Sequence, residues 1–180
     1  LKINEETLPQ IFVNAGYAQE LKKKINNEKE KSFVTQHLES ANWLIKAIQQ
    51  RSETLLKVAS KIVQIQERFF DQGIEKLKPL TLREIAESID IHESTVSRIT
   101  SNKYIGTPRR NYQLKFFFSS AVKSLDLGNT FSSKSVQFKI KKLIENEKRK
   151  KPLTDNDLVR LLKEKGIKIA RRTITKYRRK

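Results

Sequence analysis

The sequence predicts an all-α fold: a long helix plus a helix-turn-helix unit, a linker, then a second small three-helix domain that ends in another helix-turn-helix. Three observations predict it. From about Lys29 to Gln72 there is no Gly or Pro, and apolar residues recur in alternating steps of four and three. Thr81 with Glu84, and Pro152 with Thr154 and Asp157, each announce a short amphipathic helix followed by a turn and a further helix. With 37% apolar and 32% charged residues, the chain suits several small helical units better than one thick globule.

Charge bounds the partner. The formal net charge is +18 and the pI about 10.1, an excess that points to a polyanion, with nucleic acid ahead of an anionic membrane. No apolar run approaches a membrane span and no secretory signal opens the chain, so a cytoplasmic protein is expected. With no Cys, neither disulfides nor thiolate metal sites are open to it, and two His make no metal centre. No cofactor is expected. Met is absent even at position 1, which reads as a fragment of something longer.

The elements follow in order. Residues 1–28 read as the residual end of a preceding region, where LKINEETLPQIFVN allows a short strand or extended segment before YAQELKKKINNEKEK turns polar. In the long helix, Val34, Leu38, Ala41, Ile45, Ile48, Leu55, Ala59, Ile62 and Phe69 make one stripe, with polar Ser52 and Gln66 in two of its positions. A single rod of roughly 60 Å is expected, stopped at Gly73. A second stripe of Leu56, Val63 and Phe70 favours packing within the chain over a homodimeric coiled coil, and a monomer is expected. After Thr81, Ile85 and Ile89 face inward beside small Ala86, Asp90 and Ile91 break the period, and Val96 and Ile99 anchor the next helix. That leaves Ser94, Thr95, Ser97 and Arg98 outward, short polar side chains suited to phosphates or base edges. Gly106 and Pro108 mark a turn where Arg109 and Arg110 can touch phosphates. Phe116, Phe117 and Phe118 read as core and edge packing, with base stacking the alternative.

The helical core region is therefore 29–122, and 123–134 reads as a linker whose flexible stretch around Gly128 lets the units adjust. The last domain is 135–180. Val136, Ile140, Leu143 and Ile144 line its first helix, KRKK at 148–151 connects, and Leu158, Leu161 and Leu162 line its second, which Gly166 ends. From Gly166 to Lys180 there are seven bases and no acid. On the final helix Ile174 and Tyr177 face inward. Arg171, Arg172, Lys176 and Arg178 cannot all be buried unpaired, so most must point outward, as on a helix presented to a major groove.

Two stretches together resemble a known family. Pro79, Leu80, Leu82, Ile85 and Ala86, then His92, Ser94, Thr95, Val96, Ser97 and Arg98, are similar to the first signature of sigma-54-type bacterial sigma factors. Arg171, Arg172, Thr173, Ile174, Lys176, Tyr177 and Arg178 resemble the second, the RpoN box. ANWLIKAIQQRSETLLKVA resembles the extended helix that precedes the first signature; Arg179, where some members carry Glu, departs from the pattern. The resemblance implies a subunit that gives RNA polymerase core its promoter specificity, without catalysis of its own. The box helix would read an upstream GG element of double-stranded promoter DNA, and the central unit would lie near a downstream GC element. Opening would need an ATP-hydrolysing activator acting elsewhere on the full-length factor.

The residue chemistry agrees. Arg pairs bidentately with guanine O6 and N7, so Arg171 and Arg172 are the candidates for base reading, in either order. Thr173, Lys176 and Arg178 would hold phosphates, and Tyr177 offers at most its hydroxyl. His92, at the first turn, is expected as a structural hydrogen-bonder. A tandem helix-turn-helix regulator independent of polymerase is the alternative. A recombinase or transposase fragment would need an acidic cluster or a nucleophile in an Arg-rich pocket, and no such constellation is present.

Overall fold

A computed structural model describes residues 1–4, 11–25, 27–123, 130–147 and 152–178. Gly128, the KRKK connector and Arg179 lie outside them. The chain divides into two compact units, Leu1–Lys57 and Val58–Lys180.

In the first unit, Asn14 caps α1 (Ala15–Lys24), its side chain accepting from the Tyr17 N–H at 3.1 Å. The sequence reading missed this helix. Its polar composition masked a short element that begins with a good N-cap residue. α2 (Glu28–Ile65) then runs for 38 residues, about 57 Å at 1.5 Å per residue. Within this unit Val34, Leu38, Ala41 and Ile45 are half-buried, as their spacing predicts, whereas Ile48 of the same stripe is exposed, as is Trp43.

The second unit holds the core. Val58, Ala59 and Ile62 of α2 are buried. The expected single rod to Gly73 is broken after Ile65, and a separate short helix α3 (Glu67–Gln72) follows. The break falls on the polar stripe residue. Gln66 is fully buried, its Nε2 donating to the Lys78 carbonyl at 2.9 Å and its Oε1 accepting from the Lys78 N–H at 3.0 Å. A buried amide must be paired on both ends, and the chain returning past it supplies both partners. Gln66→Leu keeps the volume but leaves the Lys78 N–H and C=O without those partners. The urea midpoint is expected to fall by the equivalent of ~1–3 kcal/mol. A change within error would show that water replaces the amide at no cost.

Gly73 ends α3 as expected, at φ 85°, with the Arg109 guanidinium 3.3 Å from where a Cβ would stand. A 3-10 turn (Ile74–Lys76) leads to α4 (Leu82–Ser88), opened by the expected Thr81–Glu84 capping box. α4 ends with the Ile91 N–H bonded to the Ala86 carbonyl at 3.0 Å and Asp90 at φ 53°. That is the six-to-one bond of a Schellman end, with Asp in the left-handed position that Gly usually takes. His92 then caps α5 (Glu93–Thr100), accepting from the Ser94 N–H at 3.2 Å, the structural part expected of it.

Two antiparallel ladders depart from the all-helical expectation. β1 (Tyr104–Gly106) pairs with β2 (Asn111–Gln113), and β3 (Ala121–Lys123) with β4 (Thr130–Ser132). Strands of three residues carry too little alternation to be read as such. The second ladder also corrects the expected linker over 123–134: Thr130–Ser132 is strand, and Ser133 opens the next helix. The phenylalanine run packs, as expected. Phe117 is fully buried, and the rings of Phe69, Phe70, Tyr112, Phe116 and Phe117 meet at centroid distances of 5.1–6.1 Å.

α6 (Ser133–Glu145), α7 (Asp155–Glu164) and α8 (Arg171–Arg178) enclose a separate apolar cluster of Val136, Ile140, Leu158, Leu162, Ile167 and Ile174. The inward residues read from the sequence are the buried or half-buried ones. α6 also rests on the 3-10 turn, where Lys142 Nζ lies 2.9 Å from Glu75 Oε1 and holds that carboxyl below its usual range. Lys134 lies 4.3 Å from the centre of the Phe116 ring and donates to the Phe116 carbonyl, and burial pushes its ammonium pKa down.

Candidate nucleic-acid interface

α8 has no acid, and a single side chain, Ile174, is fully buried in the apolar cluster, with Tyr177 half-buried beside it. At 3.6 residues per turn, positions two before and two after the anchor stand almost opposite it. These are Arg172 and Lys176, both exposed and one turn apart, so they form a single outward ridge. Arg171 is exposed at the helix start, and Thr173 is half-buried on the far flank.

The helix is delivered by a complete Schellman end on α7. The Gly166 N–H bonds the Lys163 carbonyl at 2.9 Å, the Ile167 N–H bonds the Leu162 carbonyl at 2.9 Å, and Gly166 takes φ 76°. Ile167 is buried in the same cluster as Ile174, which pins the turn from inside.

α5 is built to the same register. Val96 is its buried anchor, and the positions two before and two after are Ser94 and Arg98, both exposed. Thr95 and Ser97, expected outward with them, are half-buried on the flanks. The Ser94 hydroxyl lies 2.7 Å from His92 Nδ1, within the cap. Arg98 is therefore the most available group of this set.

Three expected contacts have company inside the protein. Arg178 Nη1 is 3.0 Å from Asp155 Oδ1. Arg109 donates to the Asp71 carbonyl, tying the β1–β2 turn to the end of α3. Arg110 lies 4.5 Å from the centre of the Tyr112 ring. The structure thus gathers Arg171, Arg172, Thr173 and Lys176 on one helix and Ser94 and Arg98 on another. Arg109 and Arg110 sit on a hairpin turn that belongs to neither.

The sequence reading missed Asp155. It accepts from the Thr175 hydroxyl at 2.7 Å and from Arg178, and these two bonds hold its carboxyl below the usual carboxylate range. No local signal marks this; the partners are 20 and 23 residues away. Among the described residues no cluster of His, Asp and Glu could hold a metal, and no helix is long and apolar enough to cross a membrane.

Two short helix pairs, each ending in a helix with one fully buried apolar side chain and an exposed polar ridge, on a strongly basic and largely helical chain, define a protein of the nucleic-acid-binding class. Residues 31–180 match the family described as Sigma-54, DNA binding domain, and the chain belongs to that family. It is 47% identical over 179 residues to the RNA polymerase sigma-54 factor of Caulobacter vibrioides and 44% identical over 178 residues to that of Pseudomonas aeruginosa. Each alignment takes in 99% of this chain but only 36% and 35% of those relatives, so the chain spans about a third of their length. Among solved structures it is similar to Aquifex aeolicus sigmaN bound to promoter DNA. The TM-score is 0.61 at 38% identity, over 99% of this chain and 52% of that one.

Proposed function

We propose that this chain is the promoter-reading part of a sigma-54-type initiation factor. It binds double-stranded promoter DNA by laying α8 in the major groove at a GG element and α5 at a GC element. In the full-length protein this brings RNA polymerase core, and an ATP-hydrolysing activator drives opening. The two reading modules are 29–122 and 135–180, each a helix-turn-helix with its own apolar anchors, and the work is done in the bacterial cytoplasm without catalysis by these residues.

One observation carries the reading: the outward ridge of α8 is Arg172 and Lys176, on a helix without a single acid. A guanidinium on that ridge can take guanine O6 and N7 together, while the ammonium one turn on takes a phosphate. Arg172 is the stronger base-reading candidate. Arg171 lies on the side of α8 that carries Thr175 and Arg178, and its charge is felt by Asp155. Arg98 does the corresponding work on α5.

The test is equilibrium binding of the chain to a duplex carrying GG and GC elements about one helical turn apart, against a scrambled duplex, over a salt series. A preference of at least about 10³-fold that persists as salt rises supports the reading. Equal affinity for both duplexes would leave only a general polyanion binder.

A further inference from the structure

A reading helix is useful only if its roll about its own axis is fixed, because each residue occupies a different 100° sector and a small roll carries Arg172 off the base edges. Ile174 and Tyr177 hold α8 from the apolar side. On the polar side, α7 reaches it through Asp155. Asp155 is the first residue of α7, whose start is itself fixed by the Thr154–Asp157 capping box. Its carboxylate is only 17% exposed, with Oδ2 2.7 Å from Thr175 Oγ1 and Oδ1 3.0 Å from Arg178 Nη1. Thr175 and Arg178 are three apart, neighbours along one edge of α8. Both carboxylate oxygens are thus engaged by that single edge.

We infer that Asp155 is a positioning residue that sets the roll of α8 and withholds Arg178 from DNA, so that the Arg172–Lys176 ridge is aimed at the duplex. The inference rests on the promoter-reading function proposed above. It changes the part played by Arg178, which the sequence alone assigns to a phosphate. One guanidinium of the basic run works inside the domain, on the helix that carries the reader.

The full chain is compared with Lys176→Ala, Arg178→Ala, Asp155→Ala and Asp155→Asn on GG-bearing and scrambled duplexes across a salt series. Lys176→Ala should lower the slope of log affinity against log salt by about 1, and Arg178→Ala by less than about half of that. Asp155→Ala frees Arg178. It should tighten binding to the scrambled duplex, steepen the slope by about 1, and cut the GG preference about tenfold. A fold defect would not tighten any duplex. Asp155→Asn, which keeps an acceptor for Thr175, should move the same quantities in the same direction by less. The positioning role is overturned if Arg178→Ala flattens the slope as much as Lys176→Ala, or if neither Asp155 variant alters the GG preference.

A readout without DNA separates this from the function itself. The Asp155 carboxyl, faced from α8 by Arg178, Arg171 and the Thr175 hydroxyl, should titrate below an ordinary Asp by carbon NMR, and its midpoint should rise in Arg178→Ala. If wild type shows no GG preference, the promoter reading falls, and an unmoved midpoint would then remove the Asp155–Arg178 hold as well; a raised one keeps the hold.

Discussion

Arg172→Ala is expected to weaken binding to a GG-bearing duplex roughly 5- to 150-fold, or ~1–3 kcal/mol, with little change on a scrambled one. The expectation follows from where the side chain stands. Arg172 is exposed, two residues before the buried anchor Ile174, and lies on the ridge farthest from the apolar cluster. Arg171→Ala should cost less on the same duplex, because Arg171 lies off that ridge, on the side of α8 that carries Thr175 and Arg178. Electrophoretic or anisotropy titrations at two or more salt concentrations separate the effects. A lost base contact appears as lost discrimination at every salt, whereas a lost phosphate contact lowers all affinities and flattens the salt slope. If Arg172→Ala weakens both duplexes alike, α8 clamps the backbone and base reading must be sought elsewhere.

Phe69→Ala should be the most damaging single change to the fold of the central unit, at ~3–5 kcal/mol in a chemical-denaturation experiment. Phe69 is 1% exposed and its ring meets Phe70, Tyr112 and Phe117 edge-on and Phe116 at a tilt. It therefore joins α3 to the β2 strand and the turn after it. Removing it opens a void where those elements meet and forfeits the edge-to-face contacts as well. Domains of this size are stable by only ~5–15 kcal/mol, so the variant should sit close to unfolding at 37 °C. A loss below ~1 kcal/mol would mean that the rings repack, and the cluster would then be a poor account of what holds α3 in place.

The parts of the fold that could be read from the chain are those with local causes. Thr81–Glu84 and Thr154–Asp157 are capping boxes in the sequence and in the structure, because a cap is satisfied within four residues. Gly73 and Gly166 end helices with positive φ for the same kind of local reason. The inward faces of α5, α6, α7 and α8 follow from periodicity, and the cost of burying unpaired charge puts most of Arg171, Arg172, Lys176 and Arg178 outward without saying which. Distant causes were illegible. Gln66 was seen as a polar interruption of a stripe, but its partner Lys78 could be known only once the chain had turned back. The placing of Arg178 was missed in the same way: a basic residue on a basic helix looks like its neighbours until an acid 23 residues upstream is set beside it.

The shared register of α5 and α8 has a consequence for how such a protein can change. Each helix has one fully buried aliphatic side chain, Val96 or Ile174, and displays a pair of residues placed symmetrically about it, Ser94 with Arg98 and Arg172 with Lys176. The anchor and the display share no atoms with one another. Selection on what is recognised and selection on foldedness therefore act on different letters of the same eight-residue word. The displayed pair can drift, or be exchanged between the two helices by design, while the anchor keeps the scaffold intact.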